Sequence, residues 1–236
     1  MSERESLAFK EEGPLNRFLG VAVIFDLEGF TEFCTRPQVE HRIPQFLNRT
    51  SELLCSCLDP TFAPDSPYEF SLAGLGRPEH VKFLGDGGLI IWALPESPPD
   101  QRDSILSLLN RLYVARRSFP DVVEACKEDF GLTAMPEKLR VGLAAGEILR
   151  LASLGGGQEF VGFPINLASR LQGYCRGLGF LASARVGIPS DFLEEHGFHK
   201  VNGRRLRGFA KELLIVDKED FYALKAKERS FLFENV

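Results

Sequence analysis

Apolar and polar positions follow two periods along this chain. Residues 21–27 (VAVIFDL) form a nearly continuous apolar run, the pattern of a buried strand. It breaks at Glu28-Gly29. After Pro37, residues 38–58 carry Ile43, Phe46, Leu47, Leu53 and Leu54 at helical spacing. Residues 59–78 hold Pro60, Pro64, Pro67 and Pro78 and read as a surface loop. Two short apolar runs, 81–84 and 89–94, flank Gly85-Asp86-Gly87-Gly88. An Asp-Gly pair between two strand-like runs predicts a hairpin. A long helical pattern covers 101–130, a strand 139–145, a glycine-rich return 146–157 and a strand end 159–162. Residues 165–174 (INLASRLQGY) place Leu167, Ala168 and Leu171 on one side of a helix. Short strands are expected at 180–183 and 213–217, and a terminal helix at 219–227.

This order predicts an α+β fold: a central, mostly antiparallel or mixed sheet with helices on one face. The hairpin excludes a simple run of βαβ units. Residues 1–20 read as an N-terminal arm, 21–217 as the folded domain and 218–236 as a helical tail.

Composition narrows the class of protein. A chain of 236 residues with 44% apolar and 26% charged residues can bury a core without staples. The formal net charge of −5 argues against a broad grip on nucleic acid or an anionic membrane. Cys34, Cys55, Cys57, Cys126 and Cys175 follow no zinc-ligand spacing. The polar N-terminus has no signal core, and the apolar run 89–94 is too short to span a bilayer. The expectation is a cytoplasmic, reduced protein with neither nucleic acid nor membrane as partner.

Three constellations carry chemistry. In Phe25-Asp26-Leu27-Glu28-Gly29-Phe30-Thr31, a carboxylate ends a buried strand and a glycine turn follows. Such a turn can aim backbone N–H groups at a phosphate while the carboxylate holds a cation; a turn former or helix cap is the plainer reading. Asp86 lies in the hairpin, where Asp-Gly also serves the turn alone. Asn166 and Arg170, four apart, share one helix face. Arg170 taken singly reads as a surface salt-bridge partner.

Jointly, the pieces resemble the catalytic domain of class III adenylyl and guanylyl cyclases. VAVIFDLEGFT is similar to that family's metal-binding strand and Gly-Phe-Thr turn. VKFLGDG resembles its hairpin, LRVGLAAGEI its intervening strand, FVGFPINLASRLQ its Asn/Arg helix and RRLRGFAKELLIVD its closing strands. The likeness runs from about Val21 to Asp217. It implies a ferredoxin-like class III cyclase fold in which Asp26 and Asp86 bind two divalent cations, Mn²⁺ or Mg²⁺. Leu27, Glu28, Gly29, Phe30 and Thr31 would cradle the β- and γ-phosphates through their amides. Lys82 and Glu159 fall where the family reads the base, Asn166 where it orients the ribose, Arg170 where it neutralises the α-phosphate in the transition state, and Arg207 where it holds the triphosphate. The family shares each active site between two subunits. One chain carrying both halves implies a homodimer.

The base stays open between three candidates. Lys82 donates and Glu159 accepts, which suits adenine, cytosine or uracil. Glu159 is longer than the Asp or Thr usual in adenylyl cyclases. The context of GFTEFCT and INLASRLQGYCRGLGFLAS resembles the pyrimidine cyclases of the bacterial Pycsar anti-phage system. That resemblance implies UTP as substrate, CTP or ATP being the alternatives, and a separate effector that responds to the cyclic nucleotide. A degenerate cyclase-like module that only binds nucleotide is the non-enzymatic alternative.

Overall fold

A computed structural model describes residues 16–37, 39–58, 75–132, 134–152, 157–175, 177–204, 206, 208, 209 and 211–234. Most of the expected N-terminal arm and most of the loop at 59–78 lie outside the described residues. Strand β1 (Asn16–Glu28) leads through Gly29 into the short helix α1 (Phe30–Cys34), then helix α2 (Ile43–Leu58). Strands β2 (His80–Leu84) and β3 (Gly87–Ala93) form the hairpin, followed by helix α3 (Pro98–Phe130). Strands β4 (Lys138–Ala152) and β5 (Gln158–Val161) precede helix α4 (Phe163–Tyr174). Then come β6 (Phe180–Ser183), α5 (Ser190–Glu195), β7 (Phe198–Gly203), β8 (Leu213–Asp217), α6 (Lys218–Ala223), α7 (Ala226–Leu232) and β9 (Phe233–Glu234).

Among the described residues, nine strands make one sheet in the order β2-β3-β1-β4-β6-β8-β7-β9, with β5 beside β4. The β4–β6 pairing is parallel; the other described pairings are antiparallel. The fold is therefore the expected α+β class, with one difference: helices cover both faces of the sheet. Val21, Val23, Phe25 and Leu27 pack towards α2 and α3, against Phe46, Leu54, Leu108 and Phe119. Ala22 and Ala144 pack on the opposite face against Leu167, Ala168 and Leu171 of α4. This explains the apolar run in β1, since a strand buried on both sides cannot alternate. Among the described residues, no helix is long and apolar enough to cross a membrane.

Other elements also differ from the sequence expectation, among them β7, which was not expected. Strand β1 starts at Asn16, so residues 16–20 belong to the sheet and not to the arm. Strand β4 continues through the expected return as far as Ala152, pairing Gly146 with Gly20 and Arg150 with Asn16. The tail breaks into two helices between Ala223 and Ala226 and then re-enters the sheet, β9 pairing with β7.

Candidate active site

The hairpin turn is Gly85-Asp86, Gly85 taking φ 73°, with Gly87 already in the strand. Gly87 stands opposite Asp26 in the β1–β3 ladder. The Leu27 amide donates to the Asp86 carbonyl oxygen at 3.1 Å, which ties the turn to the end of β1. Two acidic residues sixty apart in the chain are thus held against each other. Burial pushes the Asp86 carboxyl above its ordinary range. A hydrogen bond within its own residue lowers it again, Asp26 raises it, and Arg140 lowers it. Both side chains are only partly buried, so the pair stays reachable from solvent.

Arg140 and Gln172 complete this corner, and sequence reasoning singled out neither. Arg140 stands opposite Asp26 in the β1–β4 ladder, and its Nη2 is paired with Asp26 Oδ2. Gln172 Nε2 donates to the same oxygen at 3.2 Å. Arg140 Nε is buried without a hydrogen-bond partner among the described residues. In the sequence, Arg140 is one polar residue in LRVGL; only the β1–β4 register reveals its partner.

The amides of the turn after Asp26 are in two different situations. Gly29 adopts φ 86° and heads α1 without a side-chain cap, so the first-turn amides, those of Phe30 and Thr31 among them, have no intrahelical acceptor. Phe30 is buried, while Glu28 and Thr31 are exposed. The Leu27 amide is a correction: it already serves the Asp86 carbonyl and is not free for a phosphate.

Lys82 and Glu159 lie far apart in the sequence, on β2 and β5, yet they meet. Lys82 Nζ is 3.4 Å from Glu159 Oε1, with both side chains nearly half exposed. His80, two residues from Lys82, packs its ring 4.7 Å from that of Phe160, beside Glu159. Burial pushes the His80 imidazole below its ordinary value; Lys82 lowers it further and Glu159 opposes this. A donor and an acceptor therefore stand side by side next to a ring platform.

Helix α4 presents two opposed faces. Ala168 packs on β4 and Gln172 reaches Asp26. Asn166 and Arg170 point the other way and are exposed. Among the described residues Arg170 has no ion-pair partner, so it is not the surface salt bridge of the plain reading. Close approach at Gly142 sets this orientation: a Cβ there would stand 2.5 Å from the Gln172 amide nitrogen. The Asn166/Arg170 pair and the Asp26/Asp86 pair of one chain consequently do not converge. Arg207 lies outside the described residues.

The donor set suits a hard divalent cation. Two carboxylates are close enough to repel, and a cation between them would relieve that repulsion. Among the described residues, no group of three or more His, Cys, Asp or Glu forms a closed metal cage. Mg²⁺-type sites are commonly built from one or two carboxylates completed by substrate phosphates.

The fold is similar to that of solved adenylyl and guanylyl cyclase catalytic domains. The adenylyl cyclase CyaB from P. aeruginosa is 14% identical with a TM-score of 0.60, over 86% of this chain and 95% of that one. The guanylyl cyclase Cya2 is 20% identical, also with a TM-score of 0.60, over 86% and 92%. The guanylate cyclase domain of RhGC from Catenaria anguillulae, solved with GTP, is 17% identical with a TM-score of 0.57, over 85% and 96%. No protein-family model and no curated protein sequence matches the chain.

Proposed function

We propose that this protein is a cytoplasmic nucleotidyl cyclase. It closes a nucleoside triphosphate into its 3′,5′-cyclic monophosphate and releases pyrophosphate. The observation that carries this reading is the split site: an acid pair at one corner, and an Asn/Arg pair facing outward on the far side of α4. Such a site is completed by a second copy of the chain, related by a two-fold axis that makes two sites at once. The exposed apolar edge of the hairpin, Val81, Phe83 and Leu84, offers surface for that contact.

In this reading Asp26 and Asp86 would hold two divalent cations, Mn²⁺ or Mg²⁺, whose chemistry when bound would be to lower the pKa of the ribose 3′-hydroxyl and to offset phosphate charge. Asn166 of the partner subunit orients the ribose. The partner subunit's Arg170 stabilises the charge that builds on the α-phosphate, where a positioned arginine contributes about 10³-fold or more. The amides of Gly29, Phe30 and Thr31 hold the β- and γ-phosphates. Arg207 contributes a further cation to the triphosphate.

Lys82 and Glu159 read the base. Their side-by-side placement supports a base that accepts at one edge atom and donates at its neighbour. We assign UTP, with cyclic UMP acting as a messenger to a separate effector in bacterial anti-phage defence. The sequence context of the turn and of α4 supports this choice. ATP is the second reading, favoured by the same hydrogen-bond code and by the likeness to an adenylyl cyclase.

The test is a four-nucleotide assay with Mn²⁺, reading cyclic product by mass spectrometry. Cyclic UMP from UTP is the expected result. Turnover of ATP alone removes the pyrimidine assignment and leaves the cyclase. Binding without product from any nucleotide or metal removes the cyclase, and leaves a nucleotide-binding module like the class III adenylyl cyclase-like ATP-binding protein from Pseudomonas aeruginosa, which is 18% identical with a TM-score of 0.52 over 71% of this chain and 33% of that one.

A further inference from the structure

We propose that His80 is a third base-reading residue, and that Lys82, Glu159 and His80 together present a donor, an acceptor and a donor in the order that fits uracil. The proposal rests on the base-reading role given above to Lys82 and Glu159, and deepens it by naming the group that separates one base from the others.

His80 and Lys82 are two apart on β2, so their side chains leave the same side of the strand. That side meets β5. Lys82 Nζ lies 3.4 and 3.5 Å from the two carboxylate oxygens of Glu159. The His80 ring packs 4.7 Å from the ring of Phe160, the next residue along β5. Phe160 is buried, and the Arg150 guanidinium lies over its ring at 5.6 Å. Arg150 is held in turn by an ion pair with Glu79. The imidazole therefore rests on a fixed platform. The charges of both Lys82 and Glu159 reach it, so three polar groups share one patch. Among the described residues no hydrogen bond engages the imidazole. Burial, the largest influence, holds it below its ordinary value, so at pH 7 it is neutral and carries one N–H.

A base shows its pairing edge to a protein as an ordered row of acceptors and donors. Uracil shows O4, N3–H and O2: acceptor, donor, acceptor. Lys82 only donates, ionised Glu159 only accepts, and an imidazole N–H donates, which is the complementary order. The carboxylate beside the ring favours the tautomer whose N–H faces it. Adenine shows a donor, an acceptor and then a C–H, so it leaves the imidazole unused. Cytosine shows one donor and then two acceptors, which no order with the carboxylate in the middle can meet. Guanine ends its edge in two donors, and the second would meet the imidazole N–H. A site built for a polar group rejects a ligand that lacks it more strongly than shape alone does.

The experiment compares UTP, CTP, ATP and GTP on the full chain, with 2-thio-UTP and 4-thio-UTP as probes, by calorimetric binding and by turnover with Mn²⁺. Sulfur is a weak acceptor, so each thio analogue weakens one contact. The wild type should bind both analogues less tightly than UTP. His80→Phe keeps a ring against Phe160, and an unchanged Tm shows an intact fold. This variant should bind UTP about fivefold more weakly, the worth of one neutral hydrogen bond, and its UTP-to-ATP ratio should fall by the same factor. Its 2-thio-UTP penalty should vanish, while the 4-thio-UTP penalty, which belongs to Lys82, should remain. His80→Gln, whose amide donates, should restore UTP binding. Equal losses for UTP and ATP, or a 2-thio-UTP penalty that survives in His80→Phe, overturn the proposal, as does a wild type that prefers GTP. Product from UTP with no effect of His80→Phe refutes the contact and leaves the cyclase. Binding that depends on His80, with no product from any nucleotide, sinks the cyclase reading and leaves the contact standing.

Discussion

Replacing Gly142 by alanine tests the contact that aims α4. In the interior of a strand this change ordinarily stabilises by about 0.5–1 kcal/mol, because glycine loses more freedom on folding. Here the added methyl group would stand 2.5 Å from the Gln172 amide nitrogen and closer still to the Ala168 carbonyl oxygen. Comfortable contact needs about 3.5 Å, so α4 must lift by about 1 Å. Both obstacles are backbone atoms and cannot rotate away. Overpacking of this kind costs about 3 kcal/mol, and the net loss is about 2–2.5 kcal/mol. For a chain of this size that lowers Tm by about 4–10 °C. Lifting α4 also displaces Asn166 and Arg170, and a 1 Å error in positioning costs about 100-fold in rate. Gly173→Ala on the same helix is the control: a Cβ there meets nothing within 4 Å, and helix propensity should make it stabilising by up to about 1 kcal/mol. The assays are differential scanning calorimetry and initial rates with Mn²⁺. A Gly142→Ala protein as stable as wild type would refute the packing of α4 on β4 described above.

Three other outcomes are expected. Mixing equal amounts of Asp26→Ala and Arg170→Ala chains should restore about a quarter of wild-type activity, since half the dimers are mixed and each keeps one intact site; no recovery on subunit exchange would contradict a shared site. Asp86 is held above its ordinary range, so its charge penalises the folded, metal-free state at neutral pH and not in acid. Asp86→Asn should therefore raise Tm at pH 7, with the gain vanishing as pH falls below the normal carboxylate range; calorimetry across pH checks the sign. Mn²⁺ at a hundred times its Kd should stabilise the wild type by about 2.7 kcal/mol, or about 5–10 °C. A similar rise in Asp86→Asn would place the ion elsewhere.

Local pattern made much of this molecule legible. VAVIFDL showed a strand buried on both faces, and GDGG between two apolar runs showed the hairpin. INLASRLQGY showed a helix with Ala168 inward and Arg170 outward. What stayed hidden depends on register and long-range pairing. Arg140 reads as an ordinary strand cation until β4 is aligned with β1. Lys82 and Glu159 were brought together only by the family resemblance; the local pattern alone does not show that the long strands carry β2 and β5 towards each other. Strand β7 (FHKVNG) has too few apolar residues to show a period. The return of Phe233 and Glu234 to the sheet has no signal in a two-residue segment.

The two sides of α4 also carry a consequence for abundance. If one side of that helix serves its own chain and the other serves a neighbour, an isolated copy is silent however much nucleotide surrounds it. Output per molecule then climbs with the number of molecules present and collapses on dilution. Expression level itself would act as a threshold for the signal.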